Sequence, residues 1–326
     1  MEKDIILEVK GLKTFFYTEQ GIVKAVDDVS FSIERGQTVG IVGESGCGKS
    51  VTSLSILRLV NWPPGKIAGG EIIYNNRNLL SLKENEMREI RGNDISMIFQ
   101  EPMTSLNPVF TIGSQIMEAI VLHQKVSRKE ARDRAVELLR LVSIPDPDKR
   151  IDEYPHNLSG GMRQRVMIAM ALSTNPSILI ADEPTTALDV TIQAQILDLI
   201  KEVQTKYNLT IILITHDLSI IAETADKVIV MYAGKIIEES DVKSIFRNPA
   251  HPYTKGLLSS IPRIDDESVR GSLFTIKGLV PDPLDLPPGC YFEPRCISKK
   301  PECRQRMPEF TNIENNHRVR CLLYEQ

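Results

Sequence analysis

The stretch GESGCGKS, Gly43–Ser50, has the residue types and spacing of a loop that binds phosphate groups. Its glycines let successive backbone N–H groups turn inward around phosphate oxygens, and a helix beginning near Lys49 adds the positive end of its dipole. Lys49 would neutralise the β- and γ-phosphates of a nucleotide, and Ser50 would ligate Mg²⁺. The residues that we predict to contact the nucleotide here are Gly43, Ser45, Gly46, Cys47, Gly48, Lys49, Ser50 and Val51.

Two further stretches indicate that the bound nucleotide is hydrolysed. In ILIADEP an apolar run ends in Asp182, which is suited to hold Mg²⁺ through water, and Glu183 follows, which is suited to polarise an attacking water. In IILITHD a second apolar run delivers His216, a candidate contact to the γ-phosphate. Because ligands bind at the carboxyl ends of the strands in an open parallel sheet, we expect these side chains at the edge where the phosphate loop lies.

The stretch LSGGMRQRVMIAMAL predicts a second anion-binding helix start. Ser159, Gly160 and Gly161 precede a strongly apolar helix, and a serine cap with exposed N–H groups attracts phosphate oxygens. One nucleotide cannot readily use both this helix start and the phosphate loop of the same subunit. We therefore expect it to complete the nucleotide site of a partner subunit.

The elements that must position these residues are those of an α/β fold. Four apolar runs, VGIV, ILIA, IILI and VIVM, are typical of strands buried on both faces of a parallel sheet. VTIQAQILDLIKEVQTKY repeats its apolar residues at helical spacing, and Ser127 with Glu130 forms a capping-box pattern ahead of another helix. We predict a P-loop NTPase core with a parallel-sheet centre, a helical subdomain inserted at about 101–160, and a loop-rich, cysteine-containing C-terminal appendage.

Composition and charge narrow the class of protein. The formal net charge of −4 argues against nucleic acid as the main partner. No apolar run approaches the 18 or so residues of a membrane helix, and the first residues do not resemble a signal peptide. Proline-rich stretches follow residue 239, so we divide the chain into an ATPase domain, 1–239, and an extension, 240–326.

The extension carries four of the five cysteines, at the spacing C-x5-C-x6-C-x17-C. This spacing lacks the paired C-x2-C knuckles typical of structural zinc. Four thiolates at Cys290, Cys296, Cys303 and Cys321 could hold a [4Fe–4S] cluster or a zinc ion. Four free thiols are the remaining interpretation.

The motifs together resemble those of the ATPase subunit of an ABC transporter, in family order from about Leu7 to Glu239. The resemblance implies that Gln100, in MIFQEP, is a magnesium ligand and helps to relay motion to the membrane subunits. It also identifies the loop around Asp189 as a family motif. It implies a head-to-tail dimer with ATP between one subunit's phosphate loop and the other's LSGGM, closing with ATP and reopening on hydrolysis. Tyr17, or alternatively Phe16, would stack on adenine. Cys47 departs from the commonest loop sequence, and its thiol beside a phosphate site would be open to alkylation or oxidation.

The extension is similar to that of the oligopeptide and dipeptide importer subfamily, although nickel and other small-solute importers share part of it. This resemblance implies a second ATPase subunit (a homologue or a copy of this chain), two transmembrane permease subunits and an external solute-binding protein. It places the chain at the cytoplasmic face of the cell membrane as a peripheral subunit. It also favours the iron–sulfur cluster over zinc.

Rival functions of the same superfamily fit less well. A DNA-repair ATPase would carry a long coiled coil, and a translation-associated one would carry two tandem cores. Glu183 and His216, which a non-catalytic subunit would usually lack, are both present. The sequence therefore predicts an ATPase that powers import of di- or oligopeptides.

Overall fold

The computed structural model describes residues 4–100, 105–185, 189–260, 275–314 and 316–325. Parts of the MIFQEP and TTALD motifs (101–102 and 186–188) lie outside the described residues. The chain divides into two compact units. Unit 1 consists of Met1–Asp4, Glu34–Gln37 and Ser81–Ile214, and unit 2 of Ile5–Ile33, Thr38–Leu80 and Thr215–Gln326.

The regular elements follow one another as expected for an α/β protein. The strands are β1 (Ile5–Thr18), β2 (Gly21–Glu34), β3 (Thr38–Val42), β4 (Gly65–Tyr74), β5 (Arg77–Asn78), β6 (Ile95–Ile98), β7 (Ile178–Asp182), β8 (Thr210–Ile214), β9 (Lys227–Tyr232), β10 (Lys235–Asp241), β11 (Phe310–Glu314) and β12 (His317–Arg320). The α-helices are α1 (Lys49–Ile56), α2 (Glu84–Ile90), α3 (Ile112–Gln124), α4 (Arg128–Leu141), α5 (Pro147–Arg150), α6 (Gly160–Leu172), α7 (Val190–Tyr207), α8 (Leu218–Thr224), α9 (Val242–Arg247) and α10 (Pro252–Ser259).

Unit 1 is built on three parallel strands. β7 pairs in parallel with β6 on one side and with β8 on the other. Every residue of β7 and β8 is buried, which explains why their sequences are continuously apolar rather than alternating. The prediction of buried parallel strands is confirmed here.

The helices of unit 1 start at polar caps. Asp189 accepts the N–H of Ile192 at 3.0 Å and starts α7, whose bounds match the predicted amphipathic helix. Ser127 accepts the N–H of Glu130 at 3.2 Å and starts α4. The Glu130 carboxylate pairs with Arg134 one turn later, at 2.6 Å.

Unit 2 holds two sheets. One is antiparallel, in the order β2-β1-β4-β5. In the other, β3 and β9 are parallel, and β10, β12 and β11 follow in antiparallel pairs. The prediction anticipated β3 and β9, whereas the hairpin β11–β12 of the extension had no clear signal in the sequence.

The extension is otherwise loop-rich, as predicted. Two short 3₁₀ helices, Glu293–Arg295 and Pro301–Arg304, lie among its prolines and cysteines. β10 runs across residue 239, and the division into 1–239 and 240–326 remains a prediction. Along the described stretches of chain, none of the helices is both long and apolar enough to cross a membrane.

Candidate functional site

The phosphate loop has a backbone that only glycine can adopt at two positions. Gly43 has φ +153°, and a Cβ there would lie 2.3 Å from the carbonyl oxygen of Met231. Gly48 has φ +101°, and a Cβ there would lie 2.3 Å from the carbonyl oxygen of Ala25. Both the torsion angle and the close approach of backbone therefore require glycine. Gly48 also precedes the first residue of α1, so that the loop leads directly into a helix N-terminus.

The ammonium group of Lys49 is folded back onto the loop. It donates to the carbonyl oxygens of Gly43 at 2.8 Å and Glu44 at 3.1 Å, and the residue is 6% exposed. Ser45 and Gly46 at the tip are exposed, whereas Ser50 and Val51 are half-buried. The loop thus presents its tip to solvent and keeps a buried positive charge beneath it, which is an arrangement that can bind a polyphosphate.

Cys47 is buried in the floor of the same loop. The residue is 1% exposed, and burial raises the pKa of its thiol. Its carbonyl oxygen accepts the N–H of Gly234 at 3.0 Å. Reactivity requires an accessible thiolate, so the burial of this thiol opposes the alkylation and oxidation that its position suggests.

His216 lies in unit 2 between the end of β8 and the start of α8. The N–H of Thr215 donates to the carbonyl oxygen of Ile41 at 3.4 Å, two residues before Gly43. Asp217 then starts α8 by accepting the N–H of Ser219 at 2.8 Å. The exposed His216 side chain is therefore carried on a turn that is tied to the strand leading into the phosphate loop.

In unit 1 the structure brings Asp182, Glu183 and Gln100 together. Asp182 is the last residue of β7 and is 4% exposed. Glu183 follows at φ +47°, a left-handed conformation that is uncommon for a residue with a side chain. Its carboxylate accepts a hydrogen bond from the Gln100 amide at 2.9 Å. Gln100 comes two residues after β6, which pairs with β7, so adjacent strand ends supply both partners.

The LSGGM motif starts helix α6, as predicted. The Ser159 hydroxyl accepts the N–H of Met162 at 3.3 Å and is exposed. Gly160 and Gly161 form the first turn, and a Cβ at Gly161 would lie 2.9 Å from Ile192. Glycine therefore allows helices α6 and α7 to approach closely at this point.

Gln164, one turn further along α6, was missed by the sequence reasoning. Its buried amide donates to the carbonyl oxygen of Pro184 at 2.6 Å. This bond links the helix that begins with LSGGM to the turn that carries Glu183. A buried glutamine within an apolar helix was the signal that could have found it.

The two aromatic candidates for adenine stacking have different environments. Tyr17 is 40% exposed and contacts Trp62 edge-to-face, with 5.9 Å between ring centroids. Phe16 is half-buried against Gly65, where a Cβ would lie 2.8 Å from its ring. Tyr17 therefore has the ring with a free surface.

The four cysteines of the extension are all free thiols and are partly or fully buried. Burial, with a smaller contribution from neighbouring cysteines, raises the pKa of Cys290 to about 12 and that of Cys321 to about 11. Among the described residues, no three His, Cys, Asp or Glu side chains stand close enough together to hold a metal ion. The predicted iron–sulfur or zinc site therefore has no support from this arrangement of side chains.

Comparisons with known proteins agree with these motifs. The family model for the ABC transporter matches residues 26–186, and the model for the oligopeptide/dipeptide transporter C-terminal region matches residues 237–303. The oligopeptide transport ATP-binding protein AppD of Bacillus subtilis is 55% identical over 321 residues, covering 98% of this chain and 97% of AppD. The dipeptide transport ATP-binding protein DppD of the same organism is 53% identical over 327 residues, covering 100% of this chain and 96% of DppD.

Solved structures show the same fold. A dimeric post-hydrolysis structure of the ATP-binding cassette MJ0796, bound to ADP and Pi, is 29% identical and has a TM-score of 0.66. The superposition covers 72% of this chain and 98% of the MJ0796 chain. With both family models matched and relatives more than half identical along nearly their whole length, this chain belongs to the ATP-binding proteins of ABC transporters, in the oligopeptide and dipeptide transporter group.

Proposed function

We propose that this chain is the ATP-hydrolysing subunit that powers import of di- and oligopeptides through a membrane ABC transporter. The observation that carries the proposal is the full-length similarity to AppD and DppD, whose names specify oligopeptide and dipeptide transport. The match to the oligopeptide/dipeptide C-terminal region supports the same substrate class.

We propose that ATP binds at the phosphate loop, with Lys49 as its principal cation. On binding, the Lys49 ammonium would exchange the carbonyl oxygens of Gly43 and Glu44 for phosphate oxygens. The loop N–H groups from Gly43 to Val51 would supply the remaining donors. Tyr17, with its exposed ring, would stack on the adenine.

Mg²⁺ would be held by the Ser50 hydroxyl and Gln100, with Asp182 acting through water. Hydroxyl, amide and carboxylate oxygens are the ligand types that this hard cation takes, so the donor set fits it. The ion would neutralise charge on the β- and γ-phosphates.

We propose Glu183 as the general base that polarises the attacking water. The hydrogen bond from Gln100 limits the directions in which the Glu183 carboxylate can point, which supports a role in which orientation matters. His216 would contact the γ-phosphate from its turn after β8.

The helix start at Ser159, Gly160 and Gly161, where Ser159 is exposed and the glycines are half-buried, fits a contact to a partner subunit's nucleotide. It is a capped helix N-terminus open to solvent, and such a helix end attracts phosphate oxygens. The partner is a second ATPase subunit, either a copy of this chain or a homologue. The link from Gln164 to Pro184 would then couple that contact to the turn bearing Glu183.

Permease subunits would dock on an apolar surface of unit 1. Exposed apolar side chains there include Val109 at 70%, Phe110 at 54% and Leu122 at 68%. Val109 and Phe110 precede α3 and Leu122 lies near its end, so the proposed contact would extend along that helix. The occupant that we propose is the cytoplasmic face of the two permease subunits, which would hold the chain at the membrane and, through an external binding protein, connect it to the peptide.

We propose further that the four cysteines of the extension hold a [4Fe–4S] cluster, with zinc as the alternative; the described side chains do not form such a site by themselves, so the cluster or ion would have to draw them together. The Lys300 N–H donates to the Cys303 sulfur at 3.3 Å, and backbone N–H groups of Phe292, Ser298 and Leu323 donate to the other three sulfurs. Such hydrogen bonds stabilise thiolate ligands. The cluster would pin a segment with little core of its own. Iron, sulfide and zinc assays on anaerobically purified protein decide between the two, and the absence of all three contradicts both.

Uptake of a labelled dipeptide by cells that carry this chain with its permease and binding proteins tests the proposed function. Wild-type cells should accumulate the peptide, and cells with Lys49→Ala should not. Nickel or another solute taken up in place of peptides would overturn the substrate class.

A further inference from the structure

Every polar group of Glu44, the second residue of the phosphate loop, makes a hydrogen bond. Its N–H donates to the Tyr253 hydroxyl at 2.9 Å, and its carbonyl oxygen accepts from Lys49 at 3.1 Å. Its carboxylate accepts two hydrogen bonds from the Arg295 guanidinium, at 2.6 and 3.0 Å. The two residues that hold Glu44 from outside the loop, Tyr253 and Arg295, both belong to the extension.

Arg295 is fixed in place by its own surroundings. Its side chain is 5% exposed, and its other N–H groups point to the carbonyl oxygens of Ile276 and Lys277 at 3.3 and 3.4 Å. The guanidinium also lies 5.9 Å from the ring centroid of Tyr232. A bidentate arginine–carboxylate pair is among the strongest and most directional polar contacts in proteins.

Tyr253 is equally constrained. Its ring packs edge-to-face against Tyr232 and Phe292, with centroid distances of 4.7 and 5.4 Å. Phe292 and Arg295 stand on the short segment between Cys290 and Cys296, whose ends are two of the four cysteines. The cysteine segment therefore reaches the phosphate loop through a packed aromatic cluster and one ion pair.

The charge of Glu44 explains why such a contact matters for anion binding. A carboxylate within the loop would repel the phosphates of a nucleotide unless a cation neutralised it. Lys49 is the cation that the proposed site assigns to the phosphates, so a second cation is needed for Glu44. Arg295 supplies that cation and at the same time fixes the loop backbone.

We propose that Arg295 is a positioning residue for ATP binding, which neutralises Glu44 and, with Tyr253, holds the phosphate loop in its binding conformation. This inference rests on the proposed ATP site at that loop. It gives the extension a role in the nucleotide site that does not depend on which metal, if any, the cysteines hold.

The test is the dissociation constant for Mg-ATP, measured by calorimetry on the full chain. Arg295→Met should weaken binding about tenfold, because it leaves an unneutralised carboxylate in the loop. Glu44→Gln should weaken binding less, since it removes the charge as well as the pair. The double variant should therefore bind ATP more tightly than Arg295→Met alone, a rescue that lost packing would not produce.

The matched control is Arg304→Met. Arg304 pairs at 2.9 Å with Glu293, a residue of the cysteine segment, and its side chain is 71% exposed; among the described residues it thus pairs with the extension and not with the phosphate loop. Its variant should bind ATP as the wild type does. Arg295→Met binding within twofold of wild type, or a double variant no better than Arg295→Met, would overturn the inference. If the wild type binds ATP and Lys49→Ala does not, the proposed ATP site is correct whether or not Arg295 contributes to it.

If Arg295→Met does not fold, hydrogen exchange of the wild-type chain gives an independent test. Coupling between two sites is reciprocal, so Mg-ATP should slow exchange of the Phe292–Cys296 amides as well as those of the phosphate loop. Slowing confined to the loop would overturn the inference.

Discussion

Acidification should lower the stability of the folded chain through a single buried histidine, His251, at the start of helix α10. His251 is 1% exposed, and its Nδ1 accepts the N–H of Tyr253 at 3.0 Å, so the native state needs a neutral ring. Burial lowers the pKa of His251 from 6.5 to about 4; Lys255 acts in the same direction, whereas Glu238 opposes it. Protonation would add a charge to the core and remove the acceptor that starts the helix.

The size of the effect follows from the two pKa values. Between 6.5 and about 4 the unfolded chain binds a proton at His251 that the native chain does not, so stability falls as the pH falls through this window. The full loss is about 3 kcal/mol, and roughly 2 kcal/mol of it should be reached between pH 7 and pH 5. Because the folded chain keeps His251 neutral until the pH nears about 4, the contact of Tyr253 with Glu44 and the ATP affinity of the folded chain should not depend on His251 between pH 7 and pH 5.

The assay is guanidinium unfolding of the wild type and of His251→Asn at pH 7 and pH 5. Asparagine can accept the same N–H but does not titrate in this range, so the variant should lose about 2 kcal/mol less than the wild type between the two pH values. Equal losses in the two proteins would refute the reasoning, because other groups would then account for the whole acid sensitivity.

Three other expectations concern the nucleotide site. Trp62 is the one tryptophan of the sequence, and its ring lies 5.9 Å from that of Tyr17; ATP should therefore change its fluorescence, and a response that persists unchanged in Tyr17→Ala would count against adenine stacking there. Native Cys47, at 1% exposure, should react with iodoacetamide at least about 100-fold more slowly than in the unfolded chain, as followed by mass spectrometry; comparable rates would contradict its burial. Gly48→Ala should abolish ATP binding in calorimetry and lower the free energy of unfolding by about 2 kcal/mol or more, since its Cβ would lie 2.3 Å from the Ala25 carbonyl oxygen; retained binding would mean that the loop can shift.

The parts of the fold that could be predicted are those encoded in local patterns. Continuous apolar runs specified β3, β7, β8 and β9 because strands buried on both faces need apolar residues at every position. Asp182 could be placed at the end of β7 for the same reason. The phosphate loop could be recognised because its glycines are required by backbone geometry, as the φ values of Gly43 and Gly48 show.

The remaining features depend on contacts between residues far apart in the chain. Arg295 and Glu44 are 251 positions apart, and nothing in either neighbourhood indicates the other. The hairpin β11–β12 buries the apolar Val319, but it buries His317 and Arg320 beside it. His317 is buried against Glu238 at 2.8 Å, and Arg318 and Arg320 stack on Phe310 at 4.6 Å. Such strands lack the hydrophobic alternation on which a sequence prediction relies.

Steady-state ATP hydrolysis by Glu183→Gln, measured beside the wild type, tests whether this chain hydrolyses ATP with Glu183 as the base. The variant should bind Mg-ATP with an affinity close to that of the wild type. It should accumulate in the ATP-bound state and turn over at least about 100-fold more slowly. Hydrolysis by Glu183→Gln at the wild-type rate would show that Glu183 is not the base.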